Sequence, residues 1–121
     1  MSAEKSLYER LGGAKGIAGI ADELWLNHTR NPLVRQRYVN SDPEKVKRLV
    51  REMLGAGTGG PETYTGKSML DAHRTMNISE QEFNTVVDDM MDALAKNSVG
   101  QREKDEILSI MWSMRKEIVH V

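Results

Sequence analysis

The sequence predicts a single all-α domain, and three observations support that prediction. Apolar residues recur at spacings of three and four, the period of an amphipathic helix, and no convincing alternating strand pattern is present. Glycine and proline cluster between these stretches and divide the chain into helical segments. The length of 121 residues fits one domain, since a domain usually takes roughly 100–200 residues. Residues 1–121 are therefore expected to fold as one unit.

The first two helical segments are separated by paired glycines. A short segment over residues 6–11 ends at Gly12-Gly13, where a backbone free to adopt positive φ can stop a helix. The next helix is predicted from Ala14 to about Thr29, because its apolar residues share one face. Asn31-Pro32 closes this helix.

The third helix has the clearest pattern in the chain. A short helical turn near residues 33–38 precedes it, and Asp42 before Pro43 predicts its start, with a capping side chain ahead of a proline in the first turn. A glycine-rich stretch from Gly55 ends it, and a flexible loop is expected through Gly66. Its apolar face, at i, i+3, i+4, i+7 and i+8, consists of Val46, Leu49, Val50, Met53 and Leu54.

Three more helices are predicted in the second half. A short one from Ser68 to about Met76 carries His73 on its apolar side. Ser79 to Glu82 matches a capping box that begins a helix ending near Asn97, and Ser98 to Gln101 matches a second box. The last helix face consists of Ile107, Ile110, Met111, Met114 and Ile118.

Composition excludes several classes of function. Lys and Arg total 17 against 18 Asp and Glu, so no overall positive charge attracts nucleic acid or an anionic membrane. The absence of cysteine excludes disulfides, thiol catalysis and cysteine-ligated metals. No apolar run is long enough to insert in a membrane, and the start lacks the apolar stretch of a signal peptide, so a cytoplasmic protein is expected.

The residues do not form a recognisable catalytic group. No nucleophile elbow, phosphate-binding loop or zinc-binding histidine pair is present, and the acidic clusters are typical of solvated helix faces. No catalytic residue is therefore assigned. His28 and His120 are expected at the surface or at helix ends.

His73 is the residue whose surroundings suggest a ligand. It shares a helix face with Met69 and Met76, where a neutral imidazole needs partners for both ring nitrogens. A histidine satisfied within an ordinary core also fits this pattern. A flat apolar ligand between His73 and the face of the third helix would instead account for a chain with only two Trp, three Tyr and one Phe.

Four motifs resemble one known family, the group 1 truncated haemoglobins, over essentially the whole chain. They are Leu7 to Gly13 (LYERLGG), Tyr38 to Asp42 (YVNSD), Gly59-Gly60 with Tyr64 to Met69 (YTGKSM), and Ala72-His73. The resemblance implies a truncated globin fold, in which two helices pack over two with haem b between them. It implies that His73 is the proximal iron ligand and that O2, CO or NO binds at the open iron position, for oxygen binding or transport.

The resemblance also implies the walls of the haem pocket. The second ring nitrogen of His73 is expected to donate to a backbone carbonyl of its own short helix. Apolar members of the pocket are equally compatible with ordinary core packing, and the lysines with a solvated surface. The expected haem contacts are Lys45, Met53, Tyr64, Lys67, Met69, Met76, Phe83, Val86, Met90, Ile107 and Met111.

The expected distal pocket departs from the family pattern. Trp25 stands where the family places a tyrosine, and Val46 and Val50 stand where it places glutamines. Leu49 replaces a histidine that closes onto the iron in some relatives, and Tyr38 completes the pocket. The indole of Trp25 either donates a hydrogen bond to the ligand or only fills space.

These departures predict ligand preference. A hydrogen bond to a charged acceptor contributes about 1.5–3 kcal/mol, or on the order of 10–100-fold in ligand retention. Loss of two donors is therefore expected to weaken O2 binding or to speed autoxidation, while CO and NO bind readily. Ferrous iron is expected to be five-coordinate.

Two other functions remain open from the sequence. Nitric oxide dioxygenation, or a peroxidase-like side activity, would use the same haem with an electron-donating reductase as partner. Alternatively, the chain is a haem-free helical module whose methionine-rich faces bind a partner protein.

Overall fold

The computed structural model describes residues 5–121, and across that range the chain forms six α-helices and two 3-10 helices. Within the described range the only β-type pairing is one isolated bridge between Ile78 and Val119, and no strand forms, so the predicted all-α class is confirmed. No helix in this range is long and apolar enough to cross a membrane. The α-helices are α1 (Leu7–Arg10), α2 (Gly13–Arg30), α3 (Pro43–Gly57), α4 (Met69–His73), α5 (Glu80–Lys96) and α6 (Gln101–Ser113). The 3-10 helices span Arg35–Tyr38 and Arg115–Glu117.

Two predicted helix starts are confirmed. Asp42 accepts a hydrogen bond from the Glu44 backbone N–H at 3.1 Å, with Pro43 in the first turn of α3. At the start of α5, the Ser79 hydroxyl accepts from the Glu82 N–H at 3.0 Å, and the Glu82 carboxylate accepts from the Ser79 N–H at 3.2 Å. This is a complete capping box, which satisfies two otherwise unpaired N–H groups.

Three predicted boundaries differ in the structure. The second capping box is wrong, because α6 begins after Gly100 without a side-chain cap, and Ser98 has a φ of 60° at the end of α5. The last helix ends at Ser113 and a 3-10 helix follows, so Ile118 lies outside it. Helix α3 continues through Gly55 to Gly57, since a helix tolerates glycine when tertiary packing supports it.

The helices pack in two pairs. Helix α2 packs against α3 and α5, and α5 also packs against α6. Buried residues of α2, α5 and α6 form the main core, and its most deeply buried side chains are Ile17, Ile20, Leu94 and Ile107. These helices form the two-over-two arrangement, and the short helix α4 lies beside it.

A guanidinium group joins the two ends of the fold. Arg10 of α1 donates one hydrogen bond from Nη1 to Glu103 Oε2 at 2.7 Å and another from Nη2 to Glu106 Oε1 at 3.0 Å. The hydrogen bond from Arg10 lowers the pKa of Glu106. Arg10 belongs to the N-terminal motif LYERLGG, one of the motifs that carry the resemblance to truncated haemoglobins. Its hydrogen bonds join α1 to α6.

Candidate functional site

A cavity of about 460 Å³ lies between the helices. Residues from α2, α3, α4, α5 and α6 line it, together with the first 3-10 helix and the loop before α4. Most of these side chains are aliphatic or methionine. A cavity of this size with few polar groups is typical of a site for a largely apolar ligand.

His73 lies on the wall that α4 contributes. Its Nδ1 is 2.7 Å from the Met69 carbonyl oxygen, one helical turn earlier. Because a carbonyl only accepts, Nδ1 carries the proton and Nε2 has a free lone pair. No residue in the described range 5–121 forms a hydrogen bond with Nε2. The expected contact of the imidazole with a carbonyl of its own helix is therefore confirmed.

Most of the predicted pocket residues line this one cavity. The face of α3 that the sequence pattern identified forms one wall of it, and methionines and Phe83 form much of the rest. The predicted residues that line the cavity are Tyr38, Val46, Leu49, Val50, Met53, Tyr64, Met69, His73, Met76, Phe83, Val86, Met90 and Met111.

Four predicted residues lie elsewhere among the described residues. The Trp25 ring does not line the cavity and instead packs edge-on against Tyr38, with ring centroids 5.8 Å apart. Ile107 is buried in the main core. Lys45 and Lys67 are exposed, and the Lys67 backbone carbonyl accepts a hydrogen bond from the Tyr64 hydroxyl at 2.7 Å.

The expectation for His28 needs correction. It lies in the last turn of α2, as a helix-end position requires, but it is buried and lines the cavity. The period of α2 places it on the same face as Leu24, one turn earlier, so the apolar spacing was the signal that it faces inward. Other lining residues absent from the prediction include Leu24, Val34, Arg37, Ser41, Ala72, Ile78, Glu82 and Ile118.

An ion pair joins two sides of the cavity rim. Arg37 of the first 3-10 helix donates through Nη2 to Glu82 at 3.0 Å and to the Met76 carbonyl at 3.2 Å, and its Nε also contacts Glu82. The hydrogen bond from Arg37 lowers the pKa of Glu82. Sequence reasoning assigned Glu82 to the capping box and missed this second contact, because the two partners are 45 residues apart.

The glycine-rich loop before α4 is held in place by a carboxylate. Glu62 accepts a hydrogen bond from the Tyr8 hydroxyl at 3.0 Å. Gly55 and Gly60 leave room for this side chain, since a Cβ at either position would lie 2.2 Å and 2.6 Å from Glu62 Oε2, respectively. These contacts position Glu62 in the loop that carries Tyr64 to the cavity.

The chemistry of the wall fits an iron porphyrin. Porphyrin is flat and apolar and supplies four nitrogens to its metal, so one protein nitrogen suffices as an axial ligand. The free Nε2 of His73 at the wall of an apolar cavity offers that nitrogen, and the carbonyl of Met69 fixes its ring orientation. Flexible methionine side chains adapt to an irregular flat group.

Comparison with known proteins identifies relatives along nearly the whole chain. A family model described as bacterial-like globin matches residues 6–120. The group 1 truncated hemoglobin of Tetrahymena pyriformis is 23% identical over 98% of both chains. The group 1 truncated hemoglobin GlbN of Mycolicibacterium paratuberculosis is 25% identical over 93% of this chain and 83% of that protein.

Solved structures show the same fold. The crystal structure of truncated hemoglobin from Tetrahymena pyriformis in its Fe(III) form has a TM-score of 0.92 and 22% identity, and the match covers 97% of this chain and 100% of that one. The 2/2 hemoglobin of a Synechococcus species, solved in the cyanomet state with covalently attached heme, has a TM-score of 0.90 and 24% identity, with the same coverage.

Proposed function

This chain belongs to the bacterial-like globin family, and from that premise we propose that it holds haem b in the central cavity, with His73 as the axial ligand, and binds diatomic gases. One observation, together with the resemblance of the Ala72-His73 motif, carries the assignment of the ligand to His73. The imidazole of His73 is oriented by the Met69 carbonyl at 2.7 Å, which leaves Nε2 unpaired at the cavity wall. Haem supplies four nitrogens and an iron with one position open to a gas such as O2, CO or NO.

The side chains of this cavity have separate roles in the proposal. The methionines and Phe83 exclude water from the apolar faces of the bound group. Arg37 and Glu82 hold the rim between the first 3-10 helix and α5. The Met69 carbonyl keeps the proton on Nδ1, so that the His73 lone pair stays on the atom that faces the ligand.

The wall that α3 contributes supports a proposed preference among gases. Val46, Leu49 and Val50 line the cavity and carry no hydrogen-bond donor. We therefore expect CO and NO to bind readily, and O2 to dissociate fast or to oxidise the iron. A nitric oxide dioxygenase needs O2 held by hydrogen bonds, so this wall argues against that activity as the main function. Ferrous iron is expected to be five-coordinate, since Leu49 offers no ligand atom, and a six-coordinate ferrous spectrum would instead indicate coordination by His28, the second imidazole on the cavity wall.

Absorption spectra of the purified ferric, ferrous and CO-bound forms test this proposal. We expect a Soret band, a five-coordinate ferrous spectrum and a clear shift on CO addition. His73→Ala should lose haem or its axial coordination, whereas His120→Gln, at an exposed position, should match the wild type. A wild-type chain that shows no Soret band and binds no added haemin would instead be a haem-free helical module.

A further inference from the structure

A second imidazole lines the cavity, and the proposed function does not use it. The side chain of His28 is only 8% exposed, and its Nδ1 lies 2.7 Å from a carboxylate oxygen of Asp89 on α5. The same oxygen accepts a hydrogen bond from the Asn31 side chain at 3.1 Å, and Asn31 also donates to Thr85 at 2.9 Å. These contacts fix the carboxylate, which in turn fixes the ring.

The position of the proton on His28 follows from its partner. A carboxylate accepts hydrogen bonds, so Nδ1 carries a proton, and in the neutral ring the lone pair is then on Nε2. In the described chain Asp89 does not line the cavity, whereas His28 does. The Nδ1 edge of the ring therefore faces α5, and the rest of the ring, which includes Nε2, is the part available to line the cavity. No hydrogen bond to Nε2 forms within residues 5–121.

The first 3-10 helix covers one face of this imidazole. Tyr38 stacks on His28 with ring centroids 5.3 Å apart and an interplanar angle of 16°. Burial, followed by the charge of Asp89, raises the pKa of Tyr38, so its hydroxyl stays protonated and the ring stays neutral. Arg37, next to Tyr38, is engaged by Glu82.

Two charged groups on the helices packed against α2 have their own partners. On α5, Asp92 accepts from Asn27 at 3.0 Å and pairs with Lys96 at 3.0 Å. On α3, Lys47 lies 3.5 Å from Asp22 of α2. Asp89 is therefore the carboxylate that contacts His28, and its negative charge can stabilise a positive charge on the His28 ring.

We propose that His28 is a proton acceptor for small neutral acids, H–X, that enter this cavity and are retained there as the anion X⁻. Hydrogen cyanide and hydrogen sulfide belong to this chemical class. The H–X bond breaks with its electron pair left on X, and the proton forms a new N–H bond at Nε2. His28 becomes an imidazolium paired with the Asp89 carboxylate. Asp89 is a positioning residue, since it acts through His28.

The apolar walls are the reason why the proton must be removed inside the cavity. A neutral acid enters an apolar cavity far more easily than its anion does, because burial of an unpaired charge is costly. The proton must then be removed inside the cavity, and a base there does so without admitting water. CO carries no proton, so its binding does not need His28.

The test rests on the proposed function, because the bound haem reports ligand binding. We would measure association of hydrogen cyanide with the ferric protein and of CO with the ferrous protein, in wild type, His28→Gln, Asp89→Asn and the exposed control His120→Gln. His28→Gln should slow cyanide association by about 100-fold, the low end of what a positioned base contributes. Asp89→Asn should also slow cyanide association. In both variants CO association should change far less than cyanide association, and in His120→Gln neither rate should change.

Nitrogen-15 NMR of the wild-type CO complex adds a readout independent of the variants. We expect the imidazole of His28 to carry its proton on Nδ1, and a proton on Nε2 would overturn the proposal. Unchanged cyanide rates, or equal slowing of cyanide and CO, would also overturn it, the second because it indicates an effect of cavity shape. A wild-type chain without haem would be recognised separately by its spectrum, and that result would overturn the proposed function.

Discussion

Val46→Gln tests whether the apolar wall of α3 sets the gas preference. Val46 lies on the cavity wall one helical turn before Val50, and neither can donate a hydrogen bond. A glutamine amide at this position can donate to bound O2, which carries partial negative charge. Such a bond contributes about 1.5–3 kcal/mol, and so slows O2 dissociation by about 10- to 100-fold. CO is nearly apolar when bound, so its dissociation should change far less.

The same substitution has a cost that can be measured. Without a ligand to bond, the amide at this half-buried position costs at most about 1–3 kcal/mol of unfolding free energy, which a domain with about 5–15 kcal/mol can lose and still fold. Leu33→Gln is the matched control, because Leu33 is 49% exposed and lies outside the cavity. The assay is O2 and CO dissociation by stopped flow. Equal slowing of both gases, or no slowing of O2 in a folded, haem-loaded variant, would refute the reasoning.

Two further predictions concern stability. Leu94→Ala should lower the unfolding free energy by about 2–5 kcal/mol, because the side chain is 0% exposed in the core. The exposed control Leu33→Ala should change the unfolding free energy by less than about 0.5 kcal/mol. Urea denaturation measures both changes. Because Arg37 holds the pKa of Glu82 below its usual 4.5, the unfolded chain binds more protons in acid, so stability should fall as the pH drops through and below that value. Arg37→Gln should make this loss shallower in denaturation curves between about pH 3 and pH 6, and an unchanged slope would contradict the role of the ion pair.

Local sequence patterns predicted the helices because the causes of those helices are local. The spacing in α3 places its apolar residues on one face whatever packs against them, and that face lines the cavity. The capping box at Ser79 needs only Glu82, three residues away. The contact of the His73 imidazole with a carbonyl was predictable in the same way, because both lie in one short helix, whereas its role as an iron ligand is a proposal that rests on the family resemblance.

Sequence spacing could not predict contacts between distant segments. His28 is 61 residues from Asp89 in the chain, and nothing in α2 alone shows that a carboxylate of α5 meets it. Ser98 had the right neighbours for a cap, but its left-handed backbone ends α5 and leaves the next helix without a side-chain cap.

The sequence by itself determined the helical class and the apolar face of α3, since each depends on residues within a few turns of one another, and the resemblance of its motifs supplied His73 as the candidate axial ligand. Only the tertiary structure decided which side chains share the cavity. It placed Trp25 against Tyr38 and outside the cavity wall, and it brought His28 to that wall. The physical reason is that the period of a helix defines a face, while the packing of other helices against it determines how much of that face is buried and what it meets.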